Sequence, residues 1–189
     1  LQPGERAQLV FEGLDLAATI FLNGRQVGRH ANAFYPCRLD VTDALREGEN
    51  TLVVLVESGL FHACDRQGNG YGMSPDSVLA KRNWLRKTQS SFGWDWSTRL
   101  LNVGIHGNVY LDICAGARYD RLVALAEVSP DLKRGTVTGR VLVEGLSEGP
   151  QKGTLVVEIE GTGRRTTAEV DVLPGLNPVE ATVALDNPR

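Results

Sequence analysis

Residues Phe92 to Arg99 read Phe-Gly-Trp-Asp-Trp-Ser-Thr-Arg, so two of the chain's three tryptophans flank a single carboxylate, Asp95. A pyranose ring has apolar C–H faces that lie well on indole and a rim of hydroxyls that donate to a carboxylate. Trp and Asp side by side therefore suit both surfaces of a sugar. The competing reading is a core strand whose indoles are packing residues, since aromatic side chains in strands are usually buried. Asp95 weighs against it. An unpaired carboxylate held between two large apolar groups must meet a cation, hydrogen-bond donors or a polyhydroxylated ligand.

The elements that would position these residues are strands. Gln8 to Phe11, Ala18 to Leu22, Cys37 to Val41 and Thr51 to Glu57 are short runs rich in β-branched and aromatic residues, separated by Gly, Asn and Asp. Asn23-Gly24 sits between two such runs and predicts a tight hairpin, because a type I′ turn needs positive φ at both central positions. Leu52 to Val56 is apolar on both faces and predicts a central strand. From Ser58 to Asn83 the pattern gives way to a long Gly-containing stretch. A helical turn is predicted over Asp76 to Leu85, with Ser74-Pro75 as its N-cap and first residue. A loop of this length directly before Trp94-Asp95-Trp96 favours function.

After the tryptophans, Leu100 to Ile105 and Val109 to Ile113 read as two more strands. Composition then shifts across Cys114 to Arg118. Arg121 to Val128, Val137 to Val143, Thr154 to Ile159, Thr166 to Val172 and Val179 to Leu185 alternate apolar and polar residues with regular turn signals, the pattern of a second β-sandwich. The whole chain is expected to be all-β.

Composition narrows the function classes. The 189 residues, 42% hydrophobic and 23% charged, suit one large or two small folded domains. A net charge of −3 with scattered Lys and Arg argues against nucleic acid and anionic membranes as partners. No apolar run approaches the ~20 residues of a membrane-spanning helix. Cys37, Cys64 and Cys114 are odd in number and lack paired spacing, which points to a reducing, cytoplasmic compartment rather than a disulfide framework. Asp65 to Asp76 resembles a calcium-binding loop, with acids at both ends and Gly70 at the sixth position. Gln67 and Gly72 depart from that pattern, and the flanks do not read as amphipathic helices. His62 and Cys64 fall short of the four ligands of structural zinc. No metal or cofactor is expected. Glu12, Asp15, Asp40 and Asp43 fall at turn or strand-end positions, where solvation or capping is their expected role.

Leu9-Val10-Phe11-Glu12-Gly13-Leu14-Asp15, Ile20-Phe21-Leu22-Asn23-Gly24, Asn32-x-Phe34, Asp40-Val41-Thr42 and Gly48-Glu49-Asn50, taken in order, resemble the N-terminal domain of family 2 glycoside hydrolases. Leu85-Arg86-Lys87-Thr88-Gln89, Phe92-Gly93-Trp94-Asp95-Trp96 and Arg99 with Gly104-Ile105 narrow the resemblance to the β-mannosidase branch. It implies a galactose-binding-like jelly-roll β-sandwich over residues 1–115 and an immunoglobulin-like β-sandwich over 116–189. The first strands of the one and the last strands of the other are expected outside the chain, as is the (β/α)₈ barrel that carries both catalytic glutamates. No catalytic residue is therefore expected here.

By the same resemblance, the parent enzyme is a retaining, exo-acting hydrolase of terminal β-mannosides. Asp95 would reach non-reacting hydroxyls of the terminal sugar, and Trp94 would line that pocket. Trp96 is expected to pack inward, with a weaker claim to contact the sugar. Arg99 is expected to hold Asp95 or a neighbouring loop, or to contact the sugar. The sequence departs from the family pattern at Ser97-Thr98, at His106 and at Gly107-Asn108, all close to the sugar-facing residues. A stand-alone, non-catalytic carbohydrate-binding protein is the alternative reading, and a purely structural pair of sandwiches is a third. Exposed sheet edges would favour self-association. The purified 189-residue chain is expected to give no hydrolysis of aryl β-mannosides; measurable turnover by a homogeneous sample would refute that.

Overall fold

The computed structural model describes residues 1–68, 77–96 and 98–186 and is built almost entirely of β-strands. The chain divides into two compact units, one from Ala7 to Ile113 and one that begins at Cys114 and includes Gln2–Arg6.

The first unit holds two sheets. One has the order β4-β1-β6, from β1 (Glu5–Asp15), β4 (Cys37–Asp40) and β6 (Gly104–Ala115). The other has the order β3-β2-β5, from β2 (Ala17–Leu22), β3 (Arg25–Ala31) and β5 (Leu52–Glu57). Alternate residues of β1, Ala7, Leu9 and Phe11, meet Ala18, Ile20 and Leu22 of β2 and Cys37 of β4 in a closed apolar cluster. Inward alternation along paired strands is what a sandwich requires. Burial raises the Cys37 thiol to about 11, leaving it a small apolar core residue.

The predicted hairpin forms, with φ of 53° at Asn23 and 82° at Gly24. Asn23 also ties this hairpin to the following turn. Its side-chain amide donates to Ala44 O at 2.9 Å and to Asn50 Oδ1 at 2.8 Å, while its Oδ1 accepts from Thr51 N at 3.0 Å.

Two expectations are corrected in this unit. β5 pairs only with β2 among the described residues, so it lies at a sheet edge, and its outward residues Val53 and Leu55 are exposed. Two apolar faces do not distinguish a central strand from an edge strand with an uncovered face. The helical turn expected over Asp76 to Leu85 forms as a 3-10 helix over Val78–Trp84, while its proposed start at Ser74-Pro75 lies outside the described residues. Leu100 to Val103 are not in a strand, and the ladder begins only at Gly104.

The second unit has a sheet β11-β8-β7 from β7 (Ala117–Val128), β8 (Arg134–Gly145) and β11 (Gly175–Asp186). A second sheet pairs β9 (Gln151–Ile159) with β10 (Arg164–Val172). Val141 and Val143, Leu155, Val172 and Ala181 pack between them. Buried Asn177 closes the β10–β11 turn. Its Oδ1 accepts from Leu173 N at 3.0 Å, and its amide donates to Leu173 O and Gly175 O, each at 2.7 Å.

In urea unfolding of the chain, Phe11→Ala should cost about 3–5 kcal/mol through the cavity it leaves. Leu55→Ala, on the exposed face of β5, should stay within about 0.5 kcal/mol.

Candidate functional site

Asp95 and Trp96 lie in a turn that follows Trp94, a lone bridge residue, and none of the three belongs to a strand. The chain reaches them through a 3-10 helix, Gln89–Phe92, that ends at Gly93 with φ of 128°. Only glycine takes that backbone conformation without strain, so the turn after Phe92 depends on it. The outcome for the aromatic pair follows. Both indoles face outward, Trp94 57% and Trp96 82% exposed, whereas positions two apart would share a face even in a strand and gave no ground for separating them. This corrects the inward placement expected for Trp96. The rings meet edge to face, centroids 6.0 Å apart with 82° between planes, an arrangement aromatic quadrupoles favour.

Asp95 is exposed between them, and among the described residues its carboxylate has no hydrogen-bond or ion-pair partner. Water solvates the charge, so the buried-charge penalty inferred from its apolar neighbours does not arise. Arg99 does not pair with Asp95 among the described residues. Its side chain instead lies over Gly93, where Cγ and Nε stand 3.1 Å from the position a Cβ would take.

Beneath this exposed crown the segment is firmly held. Phe92 is fully buried against Leu16, Ala63 and Leu85, with Leu101 packed alongside. Gln89 Nε2 donates to Arg82 O at 3.1 Å and to Lys87 O at 3.2 Å. Ala33 N donates to Arg86 O at 2.9 Å, where Asn32 and Arg86 form a parallel bridge.

The residue that sequence reasoning missed is Lys87. Its side chain is 1% exposed, and its ammonium donates both to Asp15 Oδ2 at the end of β1 and to the backbone carbonyl of Asn102. Asp15, expected to be a solvated strand end, is instead 14% exposed and ion-paired, and its Oδ1 is buried without a partner among the described residues. Lys87 and Asp15 are 72 positions apart, so no local pattern exposes the pair. Glu12 is likewise held by a residue distant in sequence, Asn108, whereas Asp40 caps its own turn. Glu12 Oε2 accepts from Asn108 N at 3.1 Å and Asn108 Nδ2 at 2.9 Å, and Asp40 Oδ1 accepts from Thr42 N at 3.0 Å.

Next to the ion pair is an open cleft of about 360 Å³ whose wall includes Asp15, Phe34, Thr88, Ser91, Asn102 and His106. The third tryptophan, Trp84, serves the preceding loop: its Nε1 donates to Gln67 O at 2.9 Å, and Arg66 stacks 5.4 Å from its ring centroid. The proposed calcium loop runs into residues 69–76, outside the described residues.

A buried stem carrying an exposed Trp-Asp-Trp crown on a β-sandwich can now be set beside known proteins. The model of the glycosyl hydrolase 2 galactose-binding domain-like family matches residues 1–107. The chain belongs to this family. β-Mannosidase B of Thermothelomyces thermophilus is 32% identical to it over 98% of this chain and 21% of its own length. A probable β-mannosidase of Caenorhabditis elegans is 31% identical over 58% of this chain and 13% of its own length. Among solved structures, the β-D-mannosidase of Dictyoglomus thermophilum superposes with a TM-score of 0.77 at 25% identity, covering 97% of this chain and 22% of that one. The exo-chitosanase of Amycolatopsis orientalis shares the fold, with a TM-score of 0.67 at 19% identity over 98% of this chain and 20% of that one. The chain thus spans about a fifth of the length of the relative that it matches over nearly its whole extent.

The edge-to-face indoles should give an exciton-coupled band in far-ultraviolet circular dichroism. Trp96→Phe should abolish that band while changing unfolding stability by less than about 0.5 kcal/mol, because Trp96 makes little buried contact. Survival of the band would mean that the pair is not held as described.

Proposed function

We propose that this chain is the N-terminal, non-barrel part of a retaining, exo-acting β-mannosidase-type glycoside hydrolase. Residues 1–115 form its galactose-binding-like domain, and 116–189 belong to its immunoglobulin-like domain. In this reading the Trp94-Asp95-Trp96 crown is the edge that the first domain presents to the terminal sugar of a β-mannoside. The observation that carries it is an exposed carboxylate, unpaired among the described residues, flanked by two exposed indoles on an otherwise buried stem. Similarity to β-mannosidases along nearly the whole chain supports the choice of sugar.

The chemistry divides between the domains. Retaining hydrolysis uses two carboxylates about 5 Å apart, one as nucleophile and one as acid and then base, which the rest of the protein supplies. Asp95 accepts hydrogen bonds from hydroxyls that do not react, and an indole covers a C–H face of the ring. Such contacts hold the anomeric carbon in line with the nucleophile. They accelerate the reaction to the extent that they strengthen as the ring distorts toward the transition state. Arg99, lying over Gly93, stiffens the turn rather than neutralising Asp95.

In the full-length enzyme, Asp95→Ala should lower kcat/KM for an aryl β-mannoside at least tenfold, or about 1.4 kcal/mol. An unchanged value would remove Asp95 from the sugar site.

A further inference from the structure

We infer that Lys87 is a positioning residue for the sugar-facing turn: its ammonium closes the neck of the segment that carries Trp94, Asp95 and Trp96. The inference rests on the reading of that turn as the sugar contact and adds the device that holds it in shape.

Lys87 comes just before the 3-10 helix Gln89–Phe92, and Asn102 comes just before β6. The ammonium therefore bonds the last residue entering the segment to the carbonyl of a residue leaving it, and anchors both on Asp15 at the end of β1. Compact surface loops with adjoining ends keep their shape through contacts near the neck. Here the neck has an apolar half, Phe92 and Leu101, and a polar half, Lys87 with Asp15 and Asn102.

The polar half is unusual for what it is made of. Both members of the ion pair are withdrawn from water, and Asp15 Oδ1 has no partner among the described residues. A buried ion pair is a poor way to gain stability, because an apolar pair of similar volume often does as well or better. Geometry is what an apolar pair could not reproduce. A lysine ammonium has three donors and reaches a carboxylate and a backbone carbonyl at once. Replacing it leaves the Asn102 carbonyl without that bond, and the two ends of the segment are no longer fastened to each other.

Among the described residues, no charged partner of Asp95 does this work from within the crown. Trp94, Asp95, Trp96 and Arg99 are exposed, and their contacts are with each other and with Gly93, so the position of the carboxylate relative to the sandwich is inherited from the stem. Lys87 is buried and acts on the sugar only through Asp95.

The test compares Lys87→Met and the double variant Asp15→Leu/Lys87→Met with the native chain. The double variant removes the clasp without leaving a buried charge, so it keeps the chain folded if the single variant does not. The far-ultraviolet exciton band of Trp94 and Trp96 should weaken at least twofold in the double variant, while its β-sheet spectrum and cooperative unfolding persist. A folded double variant with the native exciton band would overturn the clasp.

In the full-length enzyme, Lys87→Met should lower kcat/KM at least fivefold when Asp95 is present. It should lower it less than twofold in the Asp95→Ala background. Equal losses in the two backgrounds would show that Lys87 does not act through Asp95. If Asp95→Ala alone leaves kcat/KM unchanged, the sugar-contact reading fails, and the exciton band still decides whether Lys87 shapes the turn.

Discussion

The ion pair between Lys87 and Asp15, with the bond from Lys87 to the Asn102 carbonyl, is the contact on which the arrangement of the candidate site depends. It converts an excursion between a 3-10 helix and a strand into a loop with a fixed base. Bringing together the ends of a flexible loop of about fifteen residues costs about 2–3 kcal/mol by the logarithmic closure law. Phe92, buried with Leu16, Ala63 and Leu85, offsets that cost by hydrophobic contact, and Lys87 gives the closure its direction. The first unit therefore separates the task of folding from the task of presenting side chains. Its apolar cluster of Leu9, Phe11, Ile20 and Cys37 holds the sandwich together, and the crown is left free of structural duty.

That division explains how the tryptophans can stand exposed. Indoles in a sandwich interior would repay their burial with packing energy, whereas Trp94 and Trp96 bury little of their surface. Their edge-to-face contact orders each ring against the other and leaves their outer surfaces open to a C–H face of a sugar. Asp95 in turn keeps its full hydrogen-bonding capacity for hydroxyl donors, because no described residue competes for it.

Much of the fold was legible in the sequence because sandwich strands advertise themselves by alternation. β1, β2 and β4 fall on runs rich in β-branched and aromatic residues, the five strands of the second unit fall where apolar and polar residues alternate, and Asn23-Gly24 turns as its positive-φ preference requires. Side-chain direction was not legible where the backbone leaves the pleat. Trp96 was expected inward although alternation puts positions 94 and 96 on the same face; beyond Gly93 the chain turns and both indoles are exposed. Leu52 to Val56 looked central because burial was inferred from composition, whereas the number of neighbours a strand has is a property of the sheet. The site residues Trp94 and Asp95 could be chosen from chemistry alone. Lys87 could not, since its partner lies 72 residues away and a lysine beside an arginine reads as surface.

The central claim is that Asp95 hydrogen-bonds a hydroxyl of the terminal sugar, and removing hydroxyls one at a time tests it most directly. Each monodeoxy analogue of an aryl β-mannoside would be compared with its parent, using the full-length enzyme and its Asp95→Ala variant. At one ring position at least, the native enzyme should lose tenfold or more in kcat/KM on deoxygenation while the variant loses almost nothing, because the interaction is already gone. Equal losses in the two proteins at every position would contradict the claim, placing Asp95 outside the sugar site.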